Sequence, residues 1–202
     1  IEAQHAAMPG NFHLVEHFRP AISKPQYQAH IARIQDYILA GDCYQVNYAQ
    51  RFEAALEGDA WSAYRYVRTL LAGSFSGFLR TAEDHAILSL SPERFLRIHQ
   101  GTVTSQPIKG TAPRHVDPEQ DAALAQALLN SEKDRAENVM ITDLLRNDLG
   151  QFCQTGSVNV TELCGLHSYN NVHHLVSTVE GKLAPGVSAG QMLLATSPGG
   201  SI

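Results

Sequence analysis

The sequence lacks the features that mark several classes of protein. No apolar run approaches the roughly 18–20 residues of a transmembrane helix, and the N-terminal residues lack the basic-then-apolar pattern of a signal peptide. Only 3 cysteines are present, without CxxC spacing, which disfavours a disulfide framework or zinc site and favours a reducing compartment. There is no basic block, internal repeat or low-complexity tract. These absences predict a cytoplasmic protein that binds neither membranes nor nucleic acids.

What is present is the composition of an ordinary globular protein. The 202 residues are 44% hydrophobic and 17% charged, and a chain of this length can bury a real core. The 15 lysines and arginines against 20 aspartates and glutamates give a formal net charge of −5. Because the chain begins at Ile1 without an initiator methionine and closes on a Gly-Gly-Ser turn at 199–201, we expect a piece of a longer protein.

Hydrophobic periodicity predicts a mixture of helices and strands. Helical spacing covers residues 25–41, 60–71 and 188–195, and region 117–151 indicates two helices broken near Asn130-Ser131. Alternation predicts strands at 43–52, 75–80, 85–91, 94–99, 102–108, 157–163 and 172–180, with a hairpin turn at Gln100-Gly101. Residues 1–24 show no period and are predicted to form a linker or arm before one domain over 25–202. Because most strands are adjacent in sequence, the pattern favours an α+β fold.

One acidic helix face is a candidate metal site. On a helix, Asp134 and Glu137 share a face with Asn138 beside them, and residues at this spacing have Cβ atoms about 5–6 Å apart. Two like charges this close are costly unless a cation or a proton lies between them, and a few oxygen ligands suit Mg²⁺. The alternative is a solvated face whose acids pair with Lys133 and Arg135. Spacing alone leaves both interpretations open.

Four further features carry candidate catalytic or binding groups. Lys109 leaves a predicted strand just before a glycine, and its amine could act as a nucleophile or base if a cavity desolvates it. Glu93, at a turn between two strands, could face the same cavity. His173 and His174 fall in one strand, where alternation places their rings on opposite faces of the sheet. The glycines at 199–200 could offer backbone amides to an anion. Each also has a plainer interpretation as a structural or surface residue.

Six segments together resemble the chorismate-utilising enzymes in order and spacing. They are GDCYQVNYAQRF (41–52), LSLSPERFL (88–96), QPIKGTAPR (106–114), DRAENVMITDLLRNDLG (134–150), VHHLVSTVEG (172–181) and SPGGSI (197–202). The resemblance covers roughly residues 25–202 and implies part of a fold in which two large sheets pack face to face with helices outside. Family members are longer, so residues 25–202 would form a partial catalytic domain, truncated at its C-terminus. We expect such a piece to have little or no activity alone, with exposed sheet edges that favour self-association.

The resemblance also implies an activity. Lysine at position 109, in PIKGT, is typical of the branch that aminates chorismate at C4, whereas the anthranilate-forming branch has alanine there. In the aminating branch this lysine attacks C2 of chorismate while the C4 hydroxyl leaves, and ammonia then adds at C4 and expels the lysine. The product is 4-amino-4-deoxychorismate, which leads to para-aminobenzoate and folate. A partner glutamine amidotransferase subunit would supply the ammonia.

The same resemblance implies roles for the other candidates. Glu93 corresponds to the acid that protonates the departing hydroxyl, and His174 to a histidine near that hydroxyl. Glu137 matches a Mg²⁺ ligand, and Asp134 stands where several relatives have a second glutamate.

Two further assignments concern the substrate. Gln45 stands where water-using relatives have a lysine that activates water, which favours ammonia as the nucleophile. Gly199, Gly200 and Ser201 begin a turn whose amides would hold a substrate carboxylate. Two alternatives stay open: an anthranilate-forming enzyme, or a non-catalytic domain that binds a glutaminase or a ligand.

Overall fold

The computed structural model describes residues 12–71 and 74–200. These residues form two compact units, one of residues 12–71 with 77–89 and one of residues 74–76 with 90–200. None of the helices in the described residues has the length and hydrophobicity needed to cross a membrane. The boundary predicted near residue 24 stays a prediction.

The first unit contains two helices and short antiparallel strand pairs. Its elements in chain order are β1 (His13–Leu14), β2 (Arg19–Pro20), α1 (Lys24–Ala40), β3 (Phe52–Glu53), β4 (Leu56–Glu57), α2 (Ala60–Leu71) and most of β5 (Phe75–Ala82) and of β6 (His85–Ser91). Ser23 begins α1 through a capping box with Gln26, and Gly41 ends it in the left-handed conformation at φ 81°. The observed bounds confirm the helix predicted over residues 25–41, to within one residue at each end.

The predicted strand at 43–52 is wrong except at its last residue. Only Phe52 of this segment lies in a strand, as part of β3, which pairs with β2. Residues 45–51 have no regular secondary structure. Tyr44 and Val46, two of the apolar positions of the alternating pattern, are 93% and 41% exposed. Because no apolar face is buried there, the alternation has nothing to stabilise a strand.

The second unit is built on an antiparallel sheet. Its elements are β7 (Arg94–His99), β8 (Thr102–Gln106), β9 (Ile108–Pro113), α3 (Pro118–Leu129), α4 (Glu132–Gly150), β10 (Asn159–Ser168), β11 (Val172–Lys182) and α5 (Ala189–Ala195). The strand order is β10-β11-β8-β7, and β9 also pairs with β11. Antiparallel pairing with separate helices confirms the α+β prediction.

Local sequence signals determine two details of this sheet. Gln100 and Gly101 have φ values of 49° and 73°, which confirms the hairpin turn between β7 and β8. The segment 102–108 was expected to be one strand, but the structure divides it at Pro107 into β8 and β9. Proline has no N–H to donate to a ladder, so pairing stops there and resumes one residue later.

The helices α3 and α4 cover one face of the sheet. Ile141, Leu145 and Leu149 of α4 pack with buried residues of β8 and β11, together with Cys153. Leu128 of α3 packs on β9 and β11. Cys43, Cys153 and Cys164 are free thiols. This packing holds the N-terminal half of α4 against β9, the strand that carries Lys109.

Candidate active site

A β-bulge lies at Lys109 on β9. Between two in-register pairs, Lys109 and Gly110 together face only Leu175 of β11. Gly110 has φ 94°, a left-handed conformation that glycine adopts without steric cost. A bulge changes the direction of the side chains at the extra residue. Lys109 therefore lies within β9 at a local distortion and not, as expected, at the end of a strand.

Glu93 lies in the turn before β7 and is partly buried. Its Oε1 accepts a hydrogen bond from the backbone N–H of Ile108 at 3.1 Å. Ser91 Oγ accepts a hydrogen bond from the Glu93 N–H at 3.1 Å, which fixes the turn. The structure thus ties the predicted acid to the residue just before Lys109.

His174 lies on β11 and is 8% exposed. Its Nδ1 lies 2.9 Å from Thr111 Oγ1, and its ring lies edge-on to Tyr169. Burial lowers the pKa of His174, while a hydrogen bond to the Gly110 backbone and the charge of Glu93 act in the opposite direction. Burial therefore favours the uncharged imidazole. Glu93, the Lys109-Gly110 bulge and His174 form one cluster.

His173 has different partners, as alternation along the strand predicts. Its Nε2 lies 3.1 Å from Asp121 Oδ1 on α3, and its Nδ1 lies 2.7 Å from Ser168 Oγ. His173 is therefore a structural residue that joins β11 to α3 and β10.

The two predicted metal ligands on α4, Asp134 and Glu137, have separate partners. Asp134 Oδ2 accepts from Ser131 Oγ at 2.6 Å at the start of the helix. Asp134 also lies against the bulge, since a Cβ built on Gly110 would be 2.9 Å from the Asp134 Cβ. Glu137 Oε1 pairs with Lys133 Nζ at 2.9 Å, as in the alternative interpretation of this face.

The donor chemistry of Asp134 and Glu137 suits part of a Mg²⁺ shell. They supply carboxylate oxygens one helical turn apart, and Mg²⁺ is commonly held by one or two carboxylates together with waters and an anionic substrate. Within residues 12–71 and 74–200, no three His, Cys, Asp or Glu side chains are grouped to hold a metal ion. Asp134 and Glu137 fit a site in which protein, water and substrate together surround the cation. Glu137 would then have to leave its ion pair with Lys133 and bind the cation.

A cavity of about 250 Å³ adjoins Glu93. Gly199 and Gly200 line it, together with Ser105 and Leu145. A Cβ on Gly199 would lie 2.8 Å from the Phe95 ring, so the backbone approaches its neighbours closely there. The predicted glycine turn and Glu93 thus share one cavity.

The other two predicted substrate residues are Gln45 and Ser201. Ser201 is outside the described residues. Gln45 belongs to the first unit, where its exposed side chain donates to Asn47 Oδ1 at 3.4 Å. Its predicted role stays a prediction.

The sequence interpretation missed the roles of Thr111 and Asn138. Thr111 contacts His174, and Asn138 is wholly buried on α4 with its amide 3.4 Å from the Lys109 carbonyl oxygen. The sequence did contain a signal for Asn138. This polar residue stands three positions before the apolar Ile141, a spacing that places both on the buried side of the helix.

The glycine bulge at Lys109, the Glu93 carboxyl group and the buried His174 thus lie on neighbouring elements of the second unit. The chain belongs to the family described as chorismate binding enzyme, whose sequence profile matches residues 2–202. The family resemblance of the six motifs is thereby confirmed.

Individual relatives refine the comparison. The chain is 49% identical to aminodeoxychorismate synthase component 1 of Klebsiella aerogenes over all 202 residues, which are 45% of that protein. It is 40% identical to anthranilate synthase component 1 of Pseudomonas aeruginosa over 92% of this chain and 37% of that one. The crystal structure of anthranilate synthase component I from Streptococcus pneumoniae superimposes with a TM-score of 0.82 at 33% identity, over 96% of this chain and 41% of that chain. The chain spans less than half the length of these relatives.

Proposed function

We propose that this chain is the central part of an aminodeoxychorismate synthase component 1, which converts chorismate and ammonia to 4-amino-4-deoxychorismate and water. The observation that carries the proposal is the bulge at Lys109, beside His174 and joined to the turn of Glu93. The 49% identity over the whole chain to a protein of that name supports it.

In the first step the nitrogen lone pair of Lys109 forms a bond to C2 of chorismate. The two conjugated ring double bonds each shift by one position as the C4–O bond breaks, and Glu93 gives its proton to the departing hydroxyl, which leaves as water. The buried His174, whose pKa burial lowers, offers a hydrogen-bonding group near the same cluster.

In the second step ammonia forms a bond to C4. Both double bonds shift back and the C2–N bond to Lys109 breaks, which regenerates the lysine amine. The extra proton on the new C4 nitrogen passes to the Glu93 carboxylate, so both residues return to their starting states.

The anionic ends of the substrate need positive partners. We propose that the amides of Gly199, Gly200 and Ser201 hold one carboxylate, and that Asp134 and Glu137 hold Mg²⁺. When bound, the cation would neutralise substrate charge. The ammonia would come from a glutamine amidotransferase partner, in the reducing cytoplasm that the three free thiols suit.

Anthranilate formation is the alternative, favoured by the overlap with the anthranilate synthase of Streptococcus pneumoniae. Lysine at 109, where that branch is expected to have alanine, argues against it. A non-catalytic binding domain would have no chemical need for Lys109, Glu93 and His174 together.

Replacing Lys109 tests the proposal directly. In the full-length protein, Lys109→Ala should lower the formation of 4-amino-4-deoxychorismate by at least about 100-fold, as for loss of a reacting group. The assay couples the product to a lyase that releases para-aminobenzoate, with chorismate, Mg²⁺ and ammonium supplied.

The matched control is Lys182→Ala, which removes an exposed lysine at the end of β11 and should leave the rate unchanged. Unchanged synthesis by Lys109→Ala would remove this lysine from the nucleophile role.

A further inference from the structure

Asn138 joins α4 to both strands at the bulge. Its Nδ2 donates to the carbonyl oxygen of Leu175 at 3.0 Å and to that of Lys109 at 3.4 Å. The side chain is completely buried. One amide group therefore spans β9 and β11 at the point where their ladder is interrupted.

The orientation of this amide is fixed by its other contacts. Asn138 Oδ1 accepts a hydrogen bond from the Ser177 hydroxyl. The Thr142 hydroxyl donates to the Asn138 backbone carbonyl at 2.7 Å and lies 3.3 Å from Oδ1. Because the Lys109 and Leu175 carbonyls only accept, the amide nitrogen and not the amide oxygen must face them. The Ser177 hydroxyl is itself held, because it accepts from the Cys164 N–H at 2.9 Å.

The bulge needs a partner of this kind. An extra residue leaves backbone groups without ladder hydrogen bonds, and buried carbonyls without a donor are costly. Gly110 has no side chain with which to hold its own conformation, although Asp134 and Leu128 pack closely on it. The two N–H groups of the Asn138 amide replace the missing ladder hydrogen bonds and so fix the backbone of Lys109, the residue whose amine is proposed to react.

We infer that Asn138 is a positioning residue for Lys109: its amide fixes the bulge and so the direction in which the lysine side chain leaves β9. This inference rests on the proposed function, because only that reaction gives Lys109 its role. Asn138 touches no substrate in this account and acts through Lys109 alone.

The test uses Asn138→Asp and Asn138→Ser in the full-length protein. Aspartate keeps the shape but removes the donors, and serine keeps the site neutral in case a buried carboxylate prevents folding. Both should lower kcat for amination by about 10- to 100-fold, the cost of a misplaced reacting group. The KM for chorismate should stay unchanged, because the substrate contacts are not altered.

Thr142→Val is the matched control. It removes a hydroxyl from the same buried network and the same helix but leaves both Nδ2 donors in place. It should lower the thermal midpoint without lowering kcat. Each protein is also acetylated at trace level, and the acetylation of Lys109 relative to that of Lys182 is measured by peptide mass spectrometry. This ratio should differ from that of the parent protein in Asn138→Ser and should equal it in Thr142→Val.

Two results would overturn the inference. One is that the folded Asn138 variants have the same kcat as Thr142→Val when their thermal midpoints are lowered by the same amount. The other is an unchanged acetylation ratio in Asn138→Ser. Lys109→Ala is measured in parallel, so that undiminished amination by that variant identifies failure of the proposed function and not of the role of Asn138.

Discussion

At the scale of single residues, Gly110 has little freedom to change. Its φ of 94° is one that other residues adopt only with strain. A Cβ there would lie 2.9 Å from the Asp134 Cβ and 3.2 and 3.3 Å from the Cδ1 atoms of Leu128 and Leu175. Conformation and space therefore require glycine for separate reasons.

We expect Gly110→Ala to lower the free energy of unfolding by about 1–3 kcal/mol, since it combines backbone strain with overpacking. Urea denaturation of the full-length protein measures this. The matched variant is Gly77→Ala in β5, where a Cβ would meet nothing within 4 Å, and it should change stability far less. Equal effects of the two variants would contradict the close packing at the bulge.

At the scale of secondary-structure elements, one ionic group joins α3 to the sheet. Asp121, in the first turn of α3, accepts from Arg114 Nε at 2.9 Å and from His173. Arg114 also donates to the Tyr169 carbonyl at 2.7 Å. The Arg114 guanidinium, followed by the His115 N–H, lowers the pKa of Asp121 well below its usual range.

Asp121→Asn should therefore destabilise the protein at pH 7. A carboxyl whose pKa is lowered by folding stabilises the folded state above its unfolded pKa of about 4. That contribution is lost as the pH falls through the lowered folded-state pKa. Stability measured against pH should show the protein and the variant differing near neutrality and converging in strong acid.

Glu119→Gln is the matched control, because it removes an acid from the first turn of the same helix at an exposed position. Glu119→Gln should lower the free energy of unfolding at pH 7 much less than Asp121→Asn does. A difference between the protein and Asp121→Asn that persists unchanged into strong acid would contradict the ionic origin of the stabilisation.

Local signals predicted the elements that local interactions determine. Ser23 and Ser188 each form a capping box and mark the starts of α1 and α5, and both are readable in the sequence. The strand at 43–52 was predicted wrongly because a strand depends on a distant partner that alternation does not reveal. Pro107 was a visible reason to divide the strand at 102–108, and the prediction overlooked it.

The candidate site shows the same division. Lys109, Glu93 and His174 could be chosen from their motifs, and the structure places Glu93 and His174 beside the backbone of the bulge that carries Lys109. The bulge at Lys109 could not be predicted, because it depends on the register of β9 against β11, more than 60 positions away in the chain. The role of Asn138 follows from that bulge and was missed for the same reason.

At the scale of the whole molecule, the chain is shorter than the relatives it matches. It spans 45% of its Klebsiella aerogenes relative, and its described residues form two units. The expectation that residues 1–202 have little activity alone, and the metal and amidotransferase assignments, stay predictions. Tests of function therefore belong on the full-length protein.

The most direct measurement is identification of the product that the full-length protein forms from chorismate, Mg²⁺ and ammonium, with and without the lyase that acts on aminodeoxychorismate. The account predicts para-aminobenzoate only when the lyase is present. Anthranilate formed without the lyase would show that Lys109 was misinterpreted and that the alternative is right. No product under either condition would contradict the enzymatic assignment itself.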